Sequence, residues 1–459
     1  MNIVLENINK PVLHDDVRPV DLTSETMEQH KQAILSAMHD RGLDALIVYA
    51  DREHGANFAY LTGFEPRFEE AVLVLHSNGA SYFLLGNENL KMAKYSFLQG
   101  TVIHAPYFSL PYQPMATDQT LDALFRKAGL DSSMNIGIAG WKLFTGTVCD
   151  TKKLYDIPQF IFEAIAKTVP YENIINAADL FIDSEYGART SVNANEIAHF
   201  EFGSCIASCA VYRAIDSAKP GKTELEVADC MRNMGQPITV TTICASGERF
   251  TNAVVFPRDK EMKLGDRLSV TMGLRGGLSS RAAYIAEKRE DIPEQEQGYL
   301  EKVAIPYYRA VVTWLESMKI GTRCNDIYNT IENILPKDTY HWTLNPGHYT
   351  GDDEWSSSPF YPGSKAIIRS GMLLQLDIIP GVPGYGGVSA EDGIAIADEN
   401  LRRELKDSYP ETWNRMMERK EYISSELGIM LPEEVLPMSD ILGYLRPYVL
   451  DESRALCVR

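Results

Sequence analysis

The chain is short of positive charge: 44 Lys and Arg stand against 63 Asp and Glu in 459 residues, a formal net charge of −19. Nucleic acid and anionic membranes need a basic face, so neither is expected as a partner. Long apolar runs are also missing. No window approaches the roughly 20 apolar residues that span a bilayer, and the start, MNIVLENINKPVLHDD, lacks a basic stretch followed by an apolar core. Membrane insertion and export are therefore not expected. Seven scattered cysteines form no even-numbered disulfide framework and fit a reduced, cytoplasmic protein. What is present is ordinary for a globular chain: 45% hydrophobic and 23% charged residues, at a length that suggests two or three domains.

The sequence reads as an α/β (α+β) chain. Residues 24–39, SETMEQHKQAILSAMH, have helical spacing behind a capping serine. Apolar runs such as LDALIVYA, EAVLVLHS, ASYFLLG and NIGIAG then alternate with helical stretches. We read 1–160 as an N-terminal α/β domain, 161–189 as a connecting helical segment, 190–415 as the catalytic domain and 416–459 as a tail packed on it. Cys205 and Cys209, four apart on a helix, share a face as small core residues. An internal echo joins KPGKTELEVADCMRNM near 219 to KIGTRCNDIYNTIENI near 319, each followed by a Gly-centred strand pair. Two such α-β-β units would bring equivalent strand ends to one central site.

Six segments in order resemble the creatinase, aminopeptidase P and prolidase superfamily: NFAYLTGF at 57–64, KPGKTELEVA, SGERFTNAVVFPRDKEMKLGD, NPGHYTG, SGMLLQLDIIPG and GGVSAEDGIAIAD. The resemblance covers nearly the whole chain. It implies a creatinase-type N-terminal domain, a pita-bread catalytic domain with pseudo-twofold repeats, and a homodimer in which one subunit's N-domain helps cover the other's pocket. In metal-dependent members two aspartates, a histidine and two glutamates hold two divalent ions that activate water. Here the first aspartate position is Thr271. The second, eleven residues on, falls at Ala282 or within a residue or two of it, and 271–284, TMGLRGGLSSRAAY, contains no carboxylate. His348 and Glu391 match ligands, and Asp377 stands where a glutamate is usual. Two further family histidines are replaced by Val254 and Trp355.

These matches lead to His348, Asp377 and Glu391 as catalytic residues working without a metal or other cofactor, as in creatinase. The alternative is one weakly bound divalent ion at the same three side chains. Thr271, Tyr349, Glu354 and Trp355 are expected to bind a small, cationic substrate, with Trp342 extending an aromatic wall by cation–π contact and Arg67 reaching in from the N-domain. Arg281 either replaces the lost cation beside Asp377 or Glu391, or faces solvent. Three functions compete: metal-independent hydrolysis of a C–N bond in a small amino, guanidino or ammonium compound; a metal-dependent Xaa-Pro aminopeptidase or dipeptidase; and an inactive binding protein of the same fold. Lyase chemistry stays open beside them.

Overall fold

The computed structural model describes residues 1–66, 68–114, 117–251 and 255–459. The chain divides into two compact units, Leu22–Thr190, and Met1–Asp21 together with Ser191–Arg459. The boundary expected at 160 disappears, while the one expected at 189 falls one residue on, at Thr190, for a simple reason. Within 161–189, Ile174–Asn176 is a strand that pairs in parallel with Ile136–Ala139, so the segment belongs to the first sheet. The first residues go elsewhere: Ile3–Asn7 pairs antiparallel with Arg454–Val458.

The smaller unit is built on a six-stranded mixed sheet in the order Thr101–His104, Ser81–Leu85, Ala71–His76, Ala45–Ala50, Ile136–Ala139, Ile174–Asn176. Ala45–Ala50 and Ala71–His76 are wholly buried, because apolar clusters cover both faces of the sheet. The first helix runs Ser24–Asp40, and its cap is Thr23, whose hydroxyl accepts from the Thr26 amide.

The larger unit holds a seven-stranded sheet. Its strands are β1 (Ile238–Ser246), β2 (Arg267–Leu274), β3 (Gly277–Tyr284), β4 (His348–Tyr349), β5 (Leu373–Leu376), β6 (Ser389–Ile396) and β7 (Val435–Pro437). They run in the order β4-β5-β6-β3-β2-β1, with β7 paired to β6. The repeat heard in the sequence is visible in the backbone. Gly221 N–H donates to the Met262 carbonyl and Met262 N–H to Lys222; a hundred residues on, Gly321 donates to Ile368 and Ile368 to Thr322. Gly265 donates to Ile285 and Gly371 to Ile396, each locking one strand pair, β2–β3 or β5–β6.

Helix α1 (Ala194–Ser217) starts with a reciprocal cap between Asn193 and Glu196 and lies against β2 and β3. The approach is close enough to dictate glycine twice. A Cβ on Gly203 would stand 1.8 Å from the Arg275 carbonyl oxygen, and one on Gly276, at φ +100°, 1.9 Å from that of Phe200. The two-residue turn Arg275–Gly276 between β2 and β3 is thus clamped against the helix.

The same helix carries a buried ionic network. Arg419 pairs with Glu201 at 2.7 Å and Asp440 at 2.6 Å, and Arg415 reaches Glu201 at 2.6 Å. Cys205 and Cys209 are both buried, and their thiols donate to Asp440 Oδ2. His14 closes the network with Nδ1 2.8 Å from Asp440 Oδ1 and its amide on Oδ2. Burial pulls the His14 pKa down, but the Asp440 carboxylate outweighs it and the net shift is upward. A raised histidine stabilises the fold below its unfolded value and loses that contribution as pH rises through the folded value. His14→Gln is therefore expected to lower the urea midpoint most near about pH 6 and least near about pH 9. An equal loss at both pH values would show that the imidazolium charge contributes nothing.

Candidate active site

Residues opposite each other in an antiparallel pair share a face of the sheet. Thr271 on β2 lies opposite Ser280 on β3, and Ser280 opposite Glu391 on β6. Leu376 on β5 lies opposite Asp392, so Asp377, the next residue, faces Glu391. Thr271, Ser280, Glu391 and Asp377 form one row across four adjacent strands. His348 on β4 opposes Gln375, two residues before Asp377, and adds an imidazole at the row's end. All five side chains are buried.

The hydrogen bonds leave specific atoms bare. His348 Nδ1 is 3.1 Å from the Tyr349 carbonyl, which can only accept. Nδ1 therefore carries the proton, and in the neutral ring Nε2 presents its lone pair. That buried Nε2 makes no hydrogen bond, and neither does Asp377 Oδ1. A ring nitrogen of His348 and carboxylate oxygens of Asp377 and Glu391 all lie within 4.8 Å of one another. Glu354 Oε1 stands 3.2 Å and Asp377 Oδ2 3.9 Å from Nε2. The Trp355 ring stacks on the imidazole with centroids 4.1 Å apart at 23°. At the other end of the row, Thr271 and Ser280 hydroxyls bond each other at 2.7 Å.

Crowding acids in a dry place raises their proton affinity. Burial, reinforced by Glu354 and only partly offset by His348, pushes Asp377 up to about 6. Glu391 is raised well above the usual carboxylate range by burial, then by Asp377 and Glu354. For His348, burial acts downward and the Glu354 and Asp377 carboxylates overcome it.

Several expected positions move. Arg281 is one residue out of phase with Ser280 and points to the opposite face. There it pairs with Asp392 at 2.6 Å and donates to the Tyr444, Ile441 and Ser280 carbonyls, so it neither replaces a cation in the row nor faces solvent. Tyr349 alternates with His348 in the same way and packs in the apolar core. Trp342 is buried, donating to the Leu335 carbonyl under the Lys337 ammonium, and builds no wall at the site. Ala282 pairs with Ser269. Ser280, two residues earlier, is the partner of Thr271, because the hairpin turn is short. Ser280 lies within the residue or two of Ala282 that counting allows, and the two-residue turn Arg275–Gly276 selects it. Arg67 and Val254 lie outside the described residues.

The donor set suits a divalent cation. Nitrogen and oxygen ligands at about 2.0–2.2 Å place opposite donors at most about 4.4 Å apart, close to the observed limit of 4.8 Å. Two buried donor atoms without hydrogen bonds are what such an ion would satisfy. Without the ion the acids are a liability. Asp377 titrates near 6 in the fold against about 3.9 unfolded. Its ionisation therefore removes stability as pH rises through that window, by about 2–3 kcal/mol. In chelator-treated protein, Asp377→Asn is expected to raise the denaturation midpoint at about pH 8 and to bring no gain at about pH 4. A variant no more stable than wild type at the higher pH would contradict this account.

Comparisons with known proteins agree with this geometry. The model of the creatinase/prolidase N-terminal domain matches residues 31–179, and that of metallopeptidase family M24 matches 203–398. A Xaa-Pro dipeptidase of Pyrococcus horikoshii is 25% identical over 269 residues, covering 54% of this chain and 71% of the relative. Among solved structures, the prolidase from Pyrococcus horikoshii aligns with a TM-score of 0.61 at 20% identity over 80% of this chain and 95% of that one. The prolidase from Thermococcus sibiricus aligns at 0.63 and 18% over 83% and 96%. A metallopeptidase match across all the donor strands, together with the three-donor cradle, overturns the expectation that no metal cofactor is used. The prolidase structures share the fold, and with both domain models matched in tandem, over 31–179 and 203–398, the chain belongs to the creatinase, aminopeptidase P and prolidase superfamily.

Proposed function

We propose that this protein is a metal-dependent hydrolase of the C–N bond in a small substrate bearing an amino or guanidino group, with Xaa-Pro dipeptides the first class to consider. The observation that carries the reading is the pair of bare, buried donor atoms, His348 Nε2 and Asp377 Oδ1, beside Glu391. His348, Asp377 and Glu391 would hold one divalent cation, which when bound polarises a carbonyl oxygen and acidifies water. The Tyr349 carbonyl keeps the imidazole in the tautomer that presents Nε2. Glu391 would also be the carboxylate placed to accept a proton from the attacking water and return it to the leaving nitrogen. Trp355 edges the cluster with an apolar ring against the imidazole. Asp352 and Asp353 keep the approaching loop acidic, which favours a substrate amino group.

Thr271 and Ser280 supply hydroxyls and no charge at the far end of the row, so the reading is of one ion and not two. Protein stripped with chelator and titrated with Mn²⁺ or Co²⁺ is expected to bind one ion per chain and to gain hydrolysis of Xaa-Pro dipeptides. His348→Ala is expected to lose both. Hydrolysis unaffected by chelation, or no binding at millimolar ion, would overturn the proposal.

A further inference from the structure

The loop after β4, TGDDEW at 350–355, places a third carboxylate beside the bare nitrogen. The Glu354 Oε1 to His348 Nε2 separation is 3.2 Å, yet Nε2 makes no hydrogen bond. A carboxylate oxygen and a lone pair at that distance repel each other unless a cation lies between them. A proton on Nε2 would relieve that repulsion as an imidazolium–carboxylate pair, and a divalent cation held by both groups would relieve it as well. The spacing suits one: two donors each about 2.1 Å from a single ion, at angles of about 90–110°, are about 3.0–3.4 Å apart.

The loop is held for this task. Gly351 accepts from the Gly276 amide at 2.8 Å, which ties it to the β2–β3 turn, and Tyr349 N–H donates to Ser357 at 2.8 Å to close its base. Trp355, stacked on the imidazole, fixes the residue next to Glu354. The β2–β3 hairpin itself offers only the mutually bonded hydroxyls of Thr271 and Ser280. Asp377 and Glu391 balance a dication, but with His348 they give it only three protein donors.

We propose that Glu354 is a fourth protein ligand of the ion at His348, Asp377 and Glu391, delivering from the loop the carboxylate that β2 and β3 do not provide. This rests on the reading that the cluster binds a divalent cation. Chelator-treated wild type, Glu354→Gln, Glu354→Asp and Asp353→Asn would be titrated with Co²⁺ by calorimetry, with tryptophan fluorescence as a second readout through the Trp355–His348 stack. Melting curves without metal would confirm that each variant is folded. Glu354→Gln is expected to weaken Co²⁺ binding at least about tenfold, in keeping with the effect of losing groups at metal sites. Glu354→Asp should recover part of the loss, and Asp353→Asn, which removes the same charge from the same loop, should stay near wild type. Wild-type affinity in Glu354→Gln would overturn the proposal and leave the metal site standing. Equal losses in Glu354→Gln and Asp353→Asn would reduce Glu354 to general electrostatics and also overturn it. Wild type that binds no Co²⁺ would remove the metal reading itself.

Discussion

A strand residue can face only one side of its sheet, and the chemistry of this protein follows from which side each polar group was given. Thr271, Ser280, Glu391 and Asp377 occupy one row because three pairings, β2–β3, β3–β6 and β6–β5, agree in phase. A slip of one residue in any of them would exchange the row for its neighbours, and Arg281 or Asp392 would enter in place of Ser280 or Glu391. The opposite face shows how complete the sorting is. Arg281 and Asp392 satisfy each other there, with Ser279 and Ser439 hydroxyls on Asp392 at 2.7 Å. Similar residue types thus form a closed ion pair on one side and an open donor cluster on the other.

The two clusters also differ energetically. Arg419 and Arg415 neutralise Glu201 and Asp440, and Asp440 is held well below the ordinary carboxylate range by Arg419 and His14 despite its burial. Among the described residues no Arg or Lys pairs with Asp377, Glu391 or Glu354, His348 offsets the burial of Asp377 only in part, and Asp377 and Glu391 are displaced upward. Uncompensated buried charge is costly. That cost is what a bound cation, as proposed, would offset.

Much of this could be read from the sequence, and the failures have physical causes. His348, Asp377 and Glu391 are named from segments that resemble the family's motifs, a comparison that needs no knowledge of strand pairing, and the fold brings the three together. The α-β-β repeat was audible in its Lys-x-Gly turns because each turn makes the same two backbone hydrogen bonds. Counting places the second position at Ala282 or within a residue or two of it, and only the pairing singles out Ser280 opposite Thr271, because the turn is two residues long. Arg281 and Tyr349 were drawn to the site by nearness in sequence, where alternation sends adjacent residues apart. The strand Ile174–Asn176 was taken for part of a connector, since three residues are too few to show a period. The metal was misjudged by counting lost ligands. The decisive fact, two buried atoms with nothing to bond, exists only in three dimensions.

The glycine contacts between α1 and the hairpin turn carry an evolutionary consequence. With Gly203 and Gly276 meeting opposing carbonyl oxygens at under 2 Å from where a Cβ would be, the turn has no room to grow toward the helix. The short hairpin is then a ratchet. Point changes at Thr271 and Ser280 can alter which groups stand in the row, whereas lengthening the turn toward the helix would require the helix to yield. Change at this site is thereby channelled into side chains, while the hairpin's length stays locked.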